Sequence, residues 1–388
     1  MRELQIDREV AIVGIGQSKF RARSNAPLEE MILSAIRGAL NDAGLTSHDV
    51  DGIVTEADTM PQIFDAHHAI VNLGLRGDIF TAHTGLSGAG IMLAPRLAAL
   101  ALKAGLATHV VSYFGVDWGT KRRSAYDWHA RIPAKASLEL PYGFYSQPSY
   151  FAQLTQRYMY EYGISESELG AVATSARAWA QLNPDAQERT PMSLDQYFQS
   201  PMIADPVKKA DCCLLTDGAV AFVMTTPERA KDLRSKPVRV AACETSYSPE
   251  SVQSHNTQRD PALVTEAVHT APVAMRKAGI TTAAVDFVNV YDCFTVSALM
   301  QFEDMGFCEK GEAGAFFAEG NTAPGGRLPV NPHGGMLSEA YLMGINNIAE
   351  AVKQIRGEAG ARQIPGAEVG VLSGYSAQQT TLVLTASR

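Results

Sequence analysis

The sequence predicts an α/β protein made of two homologous halves, residues 1–235 and 236–388. Three observations carry that prediction. Short apolar runs of strand type alternate with amphipathic runs of helix type, the pattern of sheets covered by helices. One strand–helix–turn–strand unit occurs twice, displaced by 235 residues. Finally, 46% of the 388 residues are apolar and 19% are charged, enough for a large core and incompatible with a disordered chain.

The first element is Val10-Ala11-Ile12-Val13, a short apolar run closed by Gly14 and Gly16 and read as a buried strand. A dinucleotide-binding fingerprint needs a third glycine at position 19, where this chain has Lys19, so that reading fails. Leu28, Met31, Ile32, Ala35, Ile36, Ala39 and Leu40 then recur at helical spacing, and Gly44 marks the helix stop. A strand follows at Ile53-Val54. The same order returns with Val238–Ala242, a helix stopping at Gly279, and a strand at Val288–Val290. Ala43-Gly44-Leu45-Thr46 before Val50-Asp51 matches Ala278-Gly279-Ile280-Thr281 before Val285-Asp286. A repeat this long is a duplication of α/β halves rather than a solenoid. The excess length of the first half falls at about 118–210, read as an inserted loop domain. It opens with a basic stretch (Lys121, Arg122, Arg123, His129, Arg131, Lys135), read as solvated surface, with ligand phosphates as the alternative. An aromatic segment follows, including Tyr142, Phe144, Tyr145, Tyr150, Phe151, Tyr158 and Tyr160. It serves as the insert's core or lines an apolar substrate tunnel.

The net charge of −8 has the wrong sign for a nucleic-acid binder. The opening MRELQIDRE lacks the apolar core of a signal peptide. No uncharged apolar run reaches the ~18 residues of a membrane span; Arg96 and Lys103 interrupt the longest candidate. The cysteines at 212, 213, 243, 293 and 308 form no C-x-x-C pair and read as reduced thiols of a cytoplasmic protein. No zinc-ligand spacing is present, and no metal is expected.

Several motifs, in order and spacing, resemble the thiolase superfamily of sterol-carrier-protein type. They are Thr84-Gly85-Leu86-Ser87-Gly88, Asn183-Pro184, Asp217-Gly218-Ala219-Val220-Ala221, Tyr291-Asp292-Cys293-Phe294 and Asn331-Pro332-His333-Gly334-Gly335. The resemblance spans essentially the whole chain. It implies two βαβαβ halves with mixed five-stranded sheets and a loop domain inserted in the first.

The departures from that family decide the chemistry. The nucleophilic cysteine, which must hold an acyl group covalently, is Gly85 here. The histidine six residues after the double glycine is Tyr341, and the histidine opening His-Asp-Cys-Phe is Tyr291. The late second cysteine falls near Ser373-Gly374-Tyr375, which has none. Acyl transfer is lost, whereas stabilisation of an acyl-CoA enolate can remain. A retro-aldol reaction releases such an enolate. The chain resembles the thiolase-like steroid side-chain aldolases at Gly85, Tyr291, Gly335–Tyr341 and Gly370-Val371-Leu372.

That resemblance implies retro-aldol cleavage of a β-hydroxyacyl-CoA, possessing a steroid side chain in the known members, to a ketone or aldehyde and a shortened acyl-CoA. Tyr341 takes the β-hydroxyl proton; Tyr291 polarises the carbonyl or protonates the enolate. His333 is placed with them, as a substrate contact or a loop residue. Gly85, Ser87, Gly335 and Gly374 are the oxyanion and substrate-binding positions. Coenzyme A enters only as part of the thioester, with no bound cofactor. The resemblance also implies a homodimer and a partner carrying an OB-fold and a zinc ribbon. Asp292 and Glu339 are expected to orient neighbours. Competing readings are a serine hydrolase on Gly85-x-Ser87 with Asp292 and His333, a non-catalytic acyl-CoA or lipid-binding subunit, and an acyltransferase using another nucleophile.

Overall fold

Strand β1 (Ala11–Gln17) is held against helix α1 (Leu28–Ala43) by the two glycines of its sequence. A Cβ on Gly14 would lie 2.1 Å from Ala39 O, and one on Gly16 2.2 Å from Ala35 O. The glycine pair is therefore a packing device. Helix α1 buries its apolar stripe and ends at Gly44, whose φ of 77° lets its N–H return to the last carbonyls. The computed structural model describes residues 10–56, 64–84, 90–121, 130, 133–144, 146–247, 263–376 and 378–387.

The elements that follow are β2 (Gly52–Glu56), α2 (Ala66–Leu73), β3 (Phe80–Thr84), α3 (Ala94–Lys103) and β4 (Val110–Asp117). Helices α4 (Gln147–Tyr162) and α5 (Glu166–Leu182) and a small hairpin of β5 (Met202–Ala204) and β6 (Val207–Lys208) precede β7 (Asp217–Thr225). Then come β8 (Val238–Tyr247), α6 (Ala267–Ala278), β9 (Phe287–Asn289), α7 (Thr295–Asp304), α8 (Ile345–Arg356), β10 (Val369–Gly374) and β11 (Gln378–Ala386). The repeated unit keeps its spacing in three dimensions. Short helical turns at Ser47–Asp49 and Thr282–Ala284 precede β2 and β9, and α6 stops at Gly279 with φ 74°, as α1 stops at Gly44.

The main sheet is one mixed nine-stranded surface in the order β3-β2-β4-β7-β1-β8-β11-β10-β9. Strand β2 pairs in parallel with β3 and β4, and β9 in parallel with β10; the remaining pairings are antiparallel. The two sides meet at the short β1–β8 pairing, Ala11 opposite Arg239. The edge beyond β9 carries an isolated parallel bridge, Val288 to Val330, which occupies the place β3 holds at the other edge. Helices α3 and α8 share one face of the sheet in a single core. Helix α1 covers the opposite face of β1, β2, β4 and β7, and α6 and α7 cover that of β8–β11.

The segment between β4 and β7 packs over the strands of the other side. Phe151 of α4 stacks on Phe294 with ring centroids 4.1 Å apart, and Trp179 Nε1 of α5 donates to Thr322 O at 2.8 Å. The aromatic residues therefore divide: Phe151 and Tyr158 are core, while Tyr142 and Tyr160 are exposed. Tyr145 and residues 122–129 and 131 of the basic stretch lie outside the described residues. Lys121 is ion-paired with Asp117 at 2.7 Å. Lys135 departs from the solvated reading: it is buried, with its ammonium against the Tyr150 hydroxyl and the Glu139 carboxylate. Its ammonium nitrogen also lies over the Tyr150 ring, 4.1 Å from the centroid, a contact no charge count reveals.

Candidate active site

The site is built at the carboxyl end of β9, where the chain leaves the sheet through Tyr291, Asp292 and Cys293 before α7 begins. Gln301 of α7 holds this exit on both sides: its Oε1 accepts from Tyr291 N at 3.2 Å and its Nε2 donates to Tyr291 O at 2.8 Å. Ser373 Oγ of β10 donates to Gln301 Oε1 at 2.8 Å. Nothing in the local sequence pattern marks Gln301, because its role needs β9, α7 and β10 to meet.

Residues 331–341 form the opposite wall. Asn331, at φ 48°, uses both side-chain atoms on Val290: Oδ1 accepts from its N–H at 2.9 Å and Nδ2 donates to its carbonyl at 3.1 Å. Asp292 Oδ1 accepts from Met336 N at 2.8 Å, tying the turn Gly335–Ser338 to the β9 exit. A Cβ on Gly335 would lie 2.0 Å from Asp292 Oδ2, and one on Gly334 2.7 Å from the Ala180 Cβ. Both glycines have positive φ. The double glycine is thus what allows the loop to lie between Asp292 and α5.

This arrangement brings the two tyrosines together. The Tyr291 and Tyr341 hydroxyls are 2.8 Å apart, with their rings edge to face. Tyr291 is buried, at 2% exposure, and Tyr341 is partly exposed. Tyr341 N donates to Thr216 Oγ1 at 3.0 Å, and its ring lies 5.0 Å from the Trp118 ring. Burial raises both phenols well above their ordinary range, so both are neutral at neutral pH.

The other expected residues are placed as follows. His333 is fully buried; its Nε2 meets Asn347 Oδ1 at 3.0 Å, Glu339 Oε2 lies 3.6 Å away, and Nδ1 has no hydrogen-bond partner among the described residues. Its polar contacts are therefore to the supporting network and not to either phenol. Glu339 accepts from Asn183 Nδ2 and Asn346 Nδ2, each at 2.9 Å, and orients neighbours. Gly374 ends β10 beside Tyr375, whose ring meets Phe151 edge to face. Gly85 and Ser87 lie outside the described residues.

Two cysteines far apart in sequence also converge here. Cys213 N donates to Cys293 O at 2.9 Å, and both thiols influence the two tyrosines electrostatically. Burial pushes Cys293 up to about 12 and Cys213 well above the ordinary thiol range. Neither is an activated nucleophile. Among the described residues the Asp–His pairing of a hydrolase is not made, since Asp292 hydrogen-bonds Met336 N and His333 bonds Asn347 rather than each other.

A nine-stranded mixed sheet with helices on both faces, with one tyrosine just beyond β9 and another on the loop after the double glycine, defines a thiolase-like protein without the thiolase catalytic residues. The family model described as "Thiolase C-terminal domain-like" matches residues 249–386. The chain is 34% identical to 17-hydroxy-3-oxo-4-pregnene-20-carboxyl-CoA lyase of Mycobacterium tuberculosis, over 97% of this chain and 99% of that one. It is 31% identical to an acetyl-CoA acetyltransferase of Methanothermobacter thermautotrophicus, over 94% of this chain and 95% of that one. The solved structure of the Ltp2-ChsH2(DUF35) aldolase superposes with a TM-score of 0.91 at 31% identity, covering 99% of both chains. The chain belongs to the thiolase superfamily, in the sterol-carrier-protein-type branch of the steroid-CoA lyases and side-chain aldolases.

Proposed function

We propose that this protein is a carbon–carbon lyase that cleaves a β-hydroxyacyl-CoA thioester by a retro-aldol reaction. The observation that carries the reading is the pair of phenol oxygens 2.8 Å apart at the carboxyl end of β9. Tyr341, the more accessible, accepts the substrate's β-hydroxyl proton as it passes its own proton on. The Cα–Cβ bond breaks, a ketone or aldehyde leaves, and the thioester becomes an enolate. Tyr291 returns a proton to the enolate carbon through its hydrogen bond with Tyr341. By motif position Gly85 and Gly374 are assigned to the enolate oxygen, and Ser87 and Gly335 to substrate binding. His333 supports the loop through Asn347.

Acyl transfer is disfavoured because the thiols near the tyrosines are held protonated by burial. The acyl group is bulky and apolar, a steroid side chain being the class acted on by the lyase relative. The chain works as a homodimer in the cytoplasm with an OB-fold, zinc-ribbon partner; the Ltp2-ChsH2(DUF35) aldolase, a complex by its name, supports the existence of a partner alone. Among the described residues, no helix is long and apolar enough to cross a membrane. Residues 1–235 and 236–388 are the two halves, with 118–210 inserted in the first; the matching turns before β2 and β9 support this division.

The test is a cleavage assay. Purified protein, with any co-purifying partner retained, is given a panel of β-hydroxyacyl-CoA thioesters that includes a tertiary steroid side chain. Mass spectrometry follows the carbonyl product and the shortened acyl-CoA. Tyr341→Phe is expected to lower turnover by about 10²-fold or more while ligand affinity persists. Turnover equal to wild type in that variant overturns the role of Tyr341. Ligand binding without cleavage, in wild type with its partner present, identifies a binding subunit.

A further inference from the structure

We propose that Thr216 is a positioning residue for Tyr341: one buried hydroxyl, aimed by Gln187, fixes where the Tyr341 phenol stands relative to Tyr291. This inference rests on the lyase reading above and adds to it the residues that set the distance between the two phenols.

The two tyrosines are anchored on different sides of the sheet. Tyr291 is held from within its own side, where Gln301 of α7 bonds both its N–H and its carbonyl. Tyr341 reaches across to the strands of the first half. Strands β4 and β7 pair antiparallel as far as Asp117 opposite Asp217. Beyond that pair, the next residue on β4's side is Trp118 and the residue before β7 is Thr216. Trp118 meets the Tyr341 ring, with centroids 5.0 Å apart, and Thr216 Oγ1 accepts from Tyr341 N at 3.0 Å. Neighbours at the end of one strand pair therefore seat both the ring and the amide of Tyr341.

The stretch leading to Thr216 also spans the site. Cys213 N donates to Cys293 O at 2.9 Å, on the segment that carries Tyr291. Leu214 N donates to Met336 O at 3.0 Å, on the loop that carries Tyr341. Thr216 then takes the Tyr341 amide itself. Residues 213–216 thus bond both tyrosine-bearing segments in turn, and their spacing along one extended chain sets the separation of those segments.

The Thr216 hydroxyl has a single proton, which it donates to Gln187 Oε1 at 3.2 Å, leaving its lone pairs for Tyr341 N. Gln187 is itself fixed: Nε2 donates to Leu215 O at 3.0 Å, and its backbone N–H donates to Glu339 O at 3.0 Å. Thr216 is fully buried, whereas Gln187 is partly exposed. Gln187 belongs to the segment between β4 and β7, so that segment acts on Tyr341 through one hydroxyl. A phenol is a rigid ring on two side-chain torsions, and a displaced amide carries its oxygen along. Misplacing a reacting group by about 1 Å can cost about 10²-fold in rate. Thr216 touches no substrate in this scheme and transfers no proton.

The experiment compares wild type, Thr216→Val, Thr216→Ser, Gln187→Met and Tyr341→Phe as full chains with any co-purifying partner, on whichever thioester wild type cleaves. Thr216→Val keeps the branched shape and removes the acceptor; Thr216→Ser keeps the acceptor. The Val variant is expected to lower kcat by about 10-fold or more with little change in KM, the Ser variant to recover most of that loss, and Gln187→Met to fall between them. Wild-type kcat in Thr216→Val, alongside an impaired Tyr341→Phe, overturns the positioning role and leaves the lyase reading standing. Equal kcat losses in the Val and Ser variants, or a raised KM at wild-type kcat, also overturn it, since those patterns are loss of packing or of substrate binding. Should Thr216→Val not fold, Gln187→Met decides: wild-type kcat there overturns the positioning role, and a lowered kcat at unchanged KM supports it. A wild type that binds the thioesters without cleaving any overturns the lyase reading and the positioning role together.

Discussion

The proton transfer proposed for Tyr291 and Tyr341 relies on their direct contact, the buried Tyr291 hydroxyl lying 2.8 Å from that of the partly exposed Tyr341. Their neighbour Asp292 is held by a different balance. Burial pushes its carboxyl up to about 6, against the opposing pull of the Met336 N–H and of His333. A carboxyl raised in the folded state contributes its full stability below the unfolded pKa and loses it as pH rises through the folded one. Ionisation of Asp292 should therefore cost about 1 kcal/mol of stability between about pH 5 and pH 8. Asp292→Asn keeps an acceptor for Met336 N and has no charge to lose. Urea unfolding at the two pH values should show the variant gaining on wild type by about that amount as pH rises. A constant difference between the two proteins would contradict the placement of Asp292.

At the scale of elements, the loop from Asn331 to Tyr341 decides whether the site exists. It is held by Asn331 on Val290, by Asp292 on Met336, and by Thr216 on the Tyr341 amide. Its narrowest point is Gly335, where a side chain would enter the Asp292 carboxylate. Gly335→Ala combines a left-handed φ with that clash, and is expected to cost about 3 kcal/mol or more. Because the loop carries Tyr341, the same variant should lose cleavage even where it still folds. Thermal unfolding and the cleavage assay on one preparation check both outcomes; a variant with wild-type melting and turnover would show that the loop has room the structure does not give it.

At the scale of the whole molecule, the nine-stranded sheet and the core shared by α3 and α8 make the two sides interdependent. Asp42, near the end of α1, is one junction. It accepts from Ile15 N at 2.9 Å, from Ser235 Oγ at 2.9 Å and from Arg356 Nη1 at 2.7 Å. Arg356, at the end of α8, also donates from Nε to Lys236 O at 2.8 Å. Its guanidinium side chain is completely covered. Arg356→Ala leaves Asp42 and the Lys236 carbonyl short of a donor, and is expected to cost about 3 kcal/mol. Urea unfolding should remain a single transition at a lower midpoint; a second transition would mean that the two sides melt separately.

The sequence alone determined what is local or periodic. Helices α1 and α6, their glycine stops and the strands after them follow from spacing that any window of the chain displays. It also determined which chemistry was lost, because Gly85, Tyr291 and Tyr341 stand at positions that motif order identifies. Tertiary structure decided everything that depends on convergence. Cys213 and Cys293 are 80 positions apart in sequence but meet through one backbone hydrogen bond. Gln301 grips Tyr291 only because α7 folds back on its own entry strand. Lys135 reads as a surface charge until Tyr150 covers it. Periodicity records which side of an element is apolar; it holds no information about which distant element will cover that side.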